Sequence, residues 1–209
     1  DARQFEGTFG EWPRYYTGMG DRPYIIVTAI TMRRDAMWQT FLHGSAFDLD
    51  QSDGAVISAM RIEADAMRIL KQAVREPIDV YQVETSGGSN TLRVSMRQRS
   101  IGEAKQAILA LFGGIMRLKH VYVFDEDIDI RNDSQCNWAI GTRFQADTDL
   151  IVIQGIIGMT MDPSLQATTQ GRGRRYGGFN PNIGGSNSSC GSATGVVALP
   201  NAPGGKVTY

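Results

Sequence analysis

The stretch from Val121 to Ile153 constrains this chain more than any other. Val121-Tyr122-Val123-Phe124 is a short apolar strand, Asp133 to Arg143 reads as a helix, and Leu150-Ile151-Val152-Ile153 is a further strand. Strand, helix, strand over roughly thirty residues is a βαβ unit, which predicts parallel pairing through a right-handed crossover. Upstream, Val56, Met60, Glu63, Met67, Leu70 and Val74 recur at three- and four-residue steps, with Ile62, Ala66 and Ile69 widening the stripe. That periodicity predicts a helix with one buried face, begun near Asp53 and stopped before Pro77. Ile78 to Val83 reads as a strand. Thr91 to Arg97 alternates Leu92, Val94 and Met96 with Arg93, Ser95 and Arg97, which predicts a strand with one covered and one wet face. Ser100 followed by Glu103 is a capping-box signal for a helix whose Ala104, Ile108, Leu111, Phe112 and Ile115 face a core and whose end is loosened by Gly113-Gly114.

The flanks differ. Residues 1–47 are rich in Gly, Pro and aromatics, and Tyr24-Ile25-Ile26-Val27-Thr28-Ala29-Ile30-Thr31 is a strand by its β-branched content. Phe47 to Gly54 is polar and reads as a linker. Residues 171–209 hold a large share of the chain's 24 glycines. Such a segment buries too little apolar area to offset its ordering entropy unaided, so an extended tail is expected there, ordered only where something else covers it. The fold class is therefore α/β in the centre and α+β overall.

Composition removes several functions. With 21 Lys+Arg against 22 Asp+Glu the net charge is −1, and no basic excess points to nucleic acid. No apolar run reaches the roughly 18 residues of a membrane helix. Cys136 and Cys190 form no CxxC, and with only His43 and His120 a common zinc site would need nearly every candidate ligand at once. The cytoplasm is the default compartment. The chain opens Asp1-Ala2-Arg3, without Met or a leader pattern, and is expected to be part of a longer polypeptide.

The densest chemistry is Glu6-Gly7-Thr8-Phe9-Gly10-Glu11. Two carboxylates five residues apart are separated by two glycines, which let the backbone turn sharply and approach a ligand. Paired carboxylates in a dry pocket repel each other, and one then keeps its proton near neutral pH, as a proton donor must. On spacing alone, an exposed loop with two solvated carboxylates is the commoner arrangement, because Glu is usually a surface residue. Trp12, Tyr15 and Tyr16 either wall a pocket or simply pack the domain they belong to.

The same stretch resembles the UbiD family of decarboxylases, which use prenylated FMN. The family signature has the form Glu-Gly-Pro-Phe-Gly-Glu followed by an aromatic segment; here Thr8 replaces Pro and Tyr15-Tyr16 follow. The likeness continues in order through Lys119-His120-Val121-Tyr122-Val123-Phe124-Asp125-Glu126-Asp127-Ile128-Asp129-Ile130, Trp138-Ala139, Thr142-Arg143, Asp149-Leu150-Ile151-Val152-Ile153 and Asp162-Pro163-Ser164. Several short motifs in register are a far more specific signal than one.

The resemblance implies that residues 1–47 are the end of a split β-barrel cofactor domain, 48–170 an α/β oligomerisation domain with a βαβ unit, and 171–209 a tail. It implies prenylated FMN as cofactor, with Mn2+ or Mg2+ and K+ held by residues of an absent N-terminal half rather than by this chain. It further implies an unsaturated or aromatic acid as substrate, Glu11 as proton donor, Glu6 as an ionised carboxylate paired with a catalytic Arg from that half, and a homo-oligomer inactive without it. The chain departs from the family after Asp162-Pro163-Ser164: in place of a Lys-x-Gly-Ile-Asp-Ala-Thr segment, whose Lys lies near the flavin phosphate, it reads Gly171-Arg172-Gly173-Arg174-Arg175. Arg174 or Arg175 could meet a phosphate, which guanidinium suits, but a solvated basic loop is the plainer account.

Other candidates read as structural. Asp125, Glu126, Asp127 and Asp129 lack EF-hand spacing and read as caps or interface contacts at a strand end. His120 reads as structural, His43 as a loop residue without identifiable partners, and Cys136 as a buried small hydrophobe. Met60 and Met67 read as core filling or subunit contacts. Two further functions remain from the sequence: a non-catalytic assembly module in which the 55–165 domain self-associates, and a flavin-independent carbohydrate hydrolase using the glutamate pair.

Overall fold

In a computed structural model, residues 2–10, 19–41, 53–86, 90–158 and 190–198 are described. Asp53 places a carboxylate in the first turn of α1 (Asp53–Ala73) and Lys71 a cation in its last, each complementing the helix dipole. Its buried residues Ala55, Ala59, Ile62, Ala66 and Leu70 recur at three- and four-residue steps and form one face. Pro77, which cannot continue a helix, begins β3 (Pro77–Gln82). β3 turns back into β4 (Thr91–Met96) as an antiparallel pair. α2 (Glu103–Gly114) then leads to β5 (His120–Asp125), which lies parallel to β4 from Thr91↔His120 to Met96↔Asp125. This β4–α2–β5 crossover is the βαβ unit of the fold.

The βαβ unit expected between Val121 and Ile153 is not formed. α3 (Asp133–Arg143) and the one-turn α4 (Ala146–Asp149) lead to β6 (Leu150–Ile157), but β6 does not pair with β5. The place beside β5 belongs to β7 (Cys190–Ala198), parallel to β5 and antiparallel to β6, so the sheet order is β3-β4-β5-β7-β6. This also corrects the reading of 171–209 as tail throughout. Backbone ladders on both sides order a Gly/Ser-rich stretch that has little apolar area of its own. Glycine is required at one point of it: a Cβ on Gly195 would sit 2.5 Å from Cγ2 of Ile108 on α2, a β-branched side chain with little freedom to move. Gly195→Val is expected to destabilise the sheet by about 1–3 kcal/mol through overpacking, read as a lower urea midpoint. An unchanged midpoint would mean that β7 does not lie under α2. Gly155 (φ 75°) sits at the β6 register shift between Gln154 and Ile156, where a left-handed residue makes the bulge.

Both faces of the sheet are covered. On one, Val80, Leu92, Val94, Met96, Val121 and Val123 meet Ile62, Ala66 and Leu70 of α1 and Ala104, Ala107, Ile108 and Leu111 of α2. On the other, Phe124, Ile128, Ile130, Cys136 and Ala139 form a smaller cluster beneath α3. The wet face expected for β4 is thus a second interior: Ser95 is buried and the Arg93 side chain is 13% exposed. Arg93 has partners there: its Nη1 donates to the Ile130 carbonyl at 3.1 Å and lies 2.7 Å from Asp133 Oδ1. Met60 is largely exposed, together with Val56 and Ile57, whereas Met67 packs against the core.

Local signals settle the helix starts. The Asn132 side chain accepts from the backbone N–H groups of Ser134 and Gln135 and caps α3. At α2 the glutamate arm of the expected capping box is present, since Glu103 accepts from the Ser100 N–H at 3.2 Å. The N-cap itself is Gly102 in a left-handed conformation, without a side-chain cap. Glu103 also accepts from the N–H groups of Arg75 at 2.9 Å and Arg99 at 2.7 Å, and these two bonds hold its carboxyl below the ordinary value. The folded-state value lies below the unfolded one, so the stabilisation is complete above about pH 4.3 and is lost as pH falls through the folded value. Glu103→Gln is therefore expected to flatten the acid limb of the stability profile below that pH. A profile identical to wild type would remove Glu103 from acid stability.

The N-terminal part forms one two-stranded sheet, β1 (Arg3–Glu6) with β2 (Gly20–Pro23), and no closed barrel exists among the described residues. The strand expected at Tyr24–Thr31 carries no ladder among the described residues: β2 ends at Pro23, and no described strand pairs with residues 24–31. β-branched composition favours extension, but only a neighbouring strand makes a sheet. Residues 24–41 are all exposed, including Ile25 at 88%, Met37 at 95% and Trp38 at 90%. Of the expected linker, residues 47–52 lie outside the described residues, while Asp53 and Gly54 start α1.

Candidate active-site segment

Strand alternation decides what Glu6 meets. The β1–β2 register pairs Gln4 with Arg22, Phe5 with Asp21 and Glu6 with Gly20, so Gln4, Glu6, Gly20 and Arg22 share one face. The residue directly across from Glu6 has no side chain, and the next on that face is Arg22. Arg22 Nε lies 3.7 Å from Glu6 Oε2, with the side chains 35% and 50% exposed. Arg3, on the opposite face, donates from Nη1 to the Asp21 carbonyl at 3.3 Å. Glu6 is therefore paired with an arginine from within the chain, a partner that sequence reasoning missed. The signal that could have found it was an extended Gly20-Asp21-Arg22 segment that places a glycine opposite the carboxylate.

Gly7 and Gly10 do not act as a tight hinge. Neither has a positive φ, and a Cβ on either would meet nothing within 4 Å. Any close approach to them must come from a ligand or another segment. Glu11, Trp12, Tyr15, Tyr16, His43, Arg174 and Arg175 lie outside the described residues. Among the described residues, no group of three or more His, Cys, Asp or Glu side chains comes together to hold a metal ion. Nor do the described residues enclose a flavin, since residues 2–10 are all exposed. No described helix is long and apolar enough to cross a membrane.

The remaining motif residues build a clamp. After β5, Asp125 Oδ1 accepts from the Glu126 N–H, Glu126 pairs with Arg97, and Asp129 Oδ1 accepts from the Arg131 N–H. Arg143 reaches back from α3 to grip Asp127 with two bonds of 2.8 and 2.5 Å, and its guanidinium lies 5.0 Å from the Trp138 ring. Bidentate pairing fixes orientation as well as charge. Arg131 pairs with Asp79 and lies 5.4 Å from the Tyr81 ring, on which Arg93 also rests at 6.0 Å. Burial pushes the Tyr81 phenol upward, so it stays neutral between the two cations. The acidic run after β5 thus ties α3 to the sheet. His120, the first residue of β5, is half-buried. Cys136 is buried and its thiol, pushed up by desolvation, is held in the unreactive form.

Comparison with known proteins assigns this arrangement. Residues 55–178 match the family model of the 3-octaprenyl-4-hydroxybenzoate carboxy-lyase C-terminal domain, and residues 1–46 match that of its Rift-related domain. Anhydromevalonate phosphate decarboxylase of Methanothermobacter thermautotrophicus is 30% identical over 165 residues, covering 78% of this chain and 37% of that protein. Gallate decarboxylase of Lactiplantibacillus plantarum is 29% identical over 165 residues, covering 76% of this chain and 32% of that protein. The structure of the UbiD-class enzyme HmfF of Pelotomaculum thermopropionicum in complex with FMN superposes with a TM-score of 0.77 at 29% identity, over 100% of this chain and 41% of that one. The chain spans about a third of the length of the curated relatives it matches. Two consecutive domain matches, carrying the Glu6 ribbon and the β5–α3 clamp in family order, place the chain in the UbiD family of carboxy-lyases.

Proposed function

We propose that this chain is the C-terminal portion of a UbiD-type reversible decarboxylase that acts on an unsaturated or aromatic carboxylic acid through prenylated FMN. The observation that carries the reading is Glu6 at the end of β1, presented on an open face directly before Gly7-Thr8-Phe9-Gly10-Glu11, in a segment that matches the Rift-related domain. The prenylated flavin, when bound, supplies the electron sink for C–C cleavage. This chain's share is the proton. Glu11 delivers it to the carbon that loses CO2, and Glu6, paired with arginine, leaves that duty to Glu11.

In this reading residues 1–47 close one side of the cofactor domain. The exposed apolar side chains between Ile25 and Phe41, among them Ile25, Ile26, Met37 and Trp38, are the surface that the rest of that domain covers, since a monomer rarely leaves so many large apolar side chains bare. Residues 48–170 are the oligomerisation domain of a cytoplasmic homo-oligomer, and the exposed Val56, Ile57 and Met60 of α1 are its contact face. Arg174 and Arg175 are assigned to the flavin phosphate, while the metal and K+ ligands are assigned to the other half.

The test is complementation. The 209-residue chain and a polypeptide supplying the preceding part of the enzyme are assayed, separately and together, against a panel of aromatic and α,β-unsaturated acids with and without prenylated FMN. CO2 release is expected only from the combination with flavin. Turnover by this chain alone without flavin would overturn the proposal. A flavin-bound oligomer of both parts without turnover would also overturn it, and would favour an assembly module instead.

A further inference from the structure

We propose that Arg22 is a positioning residue for Glu6, holding its carboxylate in one orientation from within the same β-ribbon; this rests on the decarboxylase reading above. Three features of the ribbon combine. Gly20 leaves an empty position opposite Glu6, so the carboxylate leans along the strand to the next residue on its face, which is Arg22. Arg22 Nε meets Glu6 Oε2 at 3.7 Å. Arg3, the other cation of the ribbon, is turned to the opposite face and engaged with the Asp21 carbonyl, so it does not compete.

A carboxylate flanked by glycines and open space would otherwise sample many rotamers. A cation on the adjacent strand restricts it before any other segment arrives. When the site is covered and water leaves, the same pair sits in a lower dielectric and its mutual attraction grows. Arg22 then acts through Glu6 and does not itself touch the reacting atoms.

Two measurements test this independently. In the 209-residue chain, the Nε–Hε resonance of Arg22 is expected to shift on Glu6→Gln and to stay in place on Asp35→Asn, a control on a carboxylate that pairs with Arg33. An Arg22 resonance indifferent to Glu6→Gln would overturn the pairing, whatever the enzyme does. In the assembled enzyme, Arg22→Gln is expected to lower kcat about fivefold with KM little changed, the size of one ion pair held at the edge of solvent. Arg22→Lys should recover part of that loss, and Arg22→Gln should add nothing in a Glu6→Gln background. Unchanged kcat for Arg22→Gln, or a full additional loss in that background, would overturn the role. Absence of turnover in the wild-type assembly would count instead against the decarboxylase reading, and the resonance measurement would still decide the pairing.

Discussion

Glu11→Gln, made in the assembled and flavin-loaded enzyme, is expected to lower decarboxylation by about 10²–10⁴-fold, the usual contribution of a positioned proton donor. Glutamine keeps the shape and the hydrogen-bonding reach of a protonated glutamic acid, but its amide does not release a proton at neutral pH. With Glu11 in its proposed role, the lost step is protonation, while acid binding is retained. A fall in kcat with an unchanged KM is the expected pattern, because the interaction removed is one made in the transition state. The corresponding exchange of solvent hydrogen into the product carbon should fall in parallel, since it uses the same proton transfer in reverse. Wild-type turnover or exchange in the variant would remove Glu11 from the mechanism. In the proposed scheme Glu6→Gln is a different lesion: it takes the anion away from Arg22 and disturbs orientation rather than the proton inventory.

What was legible in the sequence is what depends on near neighbours. α3 spans Asp133–Arg143 as expected, because Asn132 caps it and the turn following β5 supplies the break. α1, β3, β4, α2 and β5 follow in the same way from periodicity and from stops such as Pro77. The larger errors arise where a distant segment decides. Cys190–Ala198 has coil composition, yet it is a strand because β5 and β6 offer ladders on both sides. Tyr24–Thr31 has strand composition, yet it is bare because no described strand lies beside it. Arg93 read as a solvent residue by alternation, yet Asp133 and the Ile130 carbonyl, both some forty residues away, make its burial tolerable. The site divides along the same line. Glu6 is visible as part of a motif, whereas Arg22 becomes visible only once the register sets Gly20 opposite Glu6.

The second large effect is expected in the smaller core. Phe124 is fully buried, its ring stacks on Tyr122 with centroids 6.5 Å apart, and it anchors the cluster of Ile128, Ile130, Cys136 and Ala139 beneath α3. Phe124→Ala removes the largest side chain from that cluster. The walls cannot readily collapse into the space, because Arg93 holds Asp133 and Arg143 holds Asp127, fixing α3 and the preceding turn at both ends. A cavity that stays open lies toward the costly end of such substitutions, about 3–5 kcal/mol, against a total of about 5–15 kcal/mol for a folded domain. The urea midpoint should fall with an unchanged slope. Local opening should come first under α3, where the Cys136 thiol provides its own reporter. Buried and held in the unreactive form, it should react with a thiol reagent far faster in the variant than in wild type. A loss below about 1.5 kcal/mol with no gain in Cys136 reactivity would mean that the ion pairs, not the apolar cluster, hold α3. Arg143→Ala would then be the more damaging change.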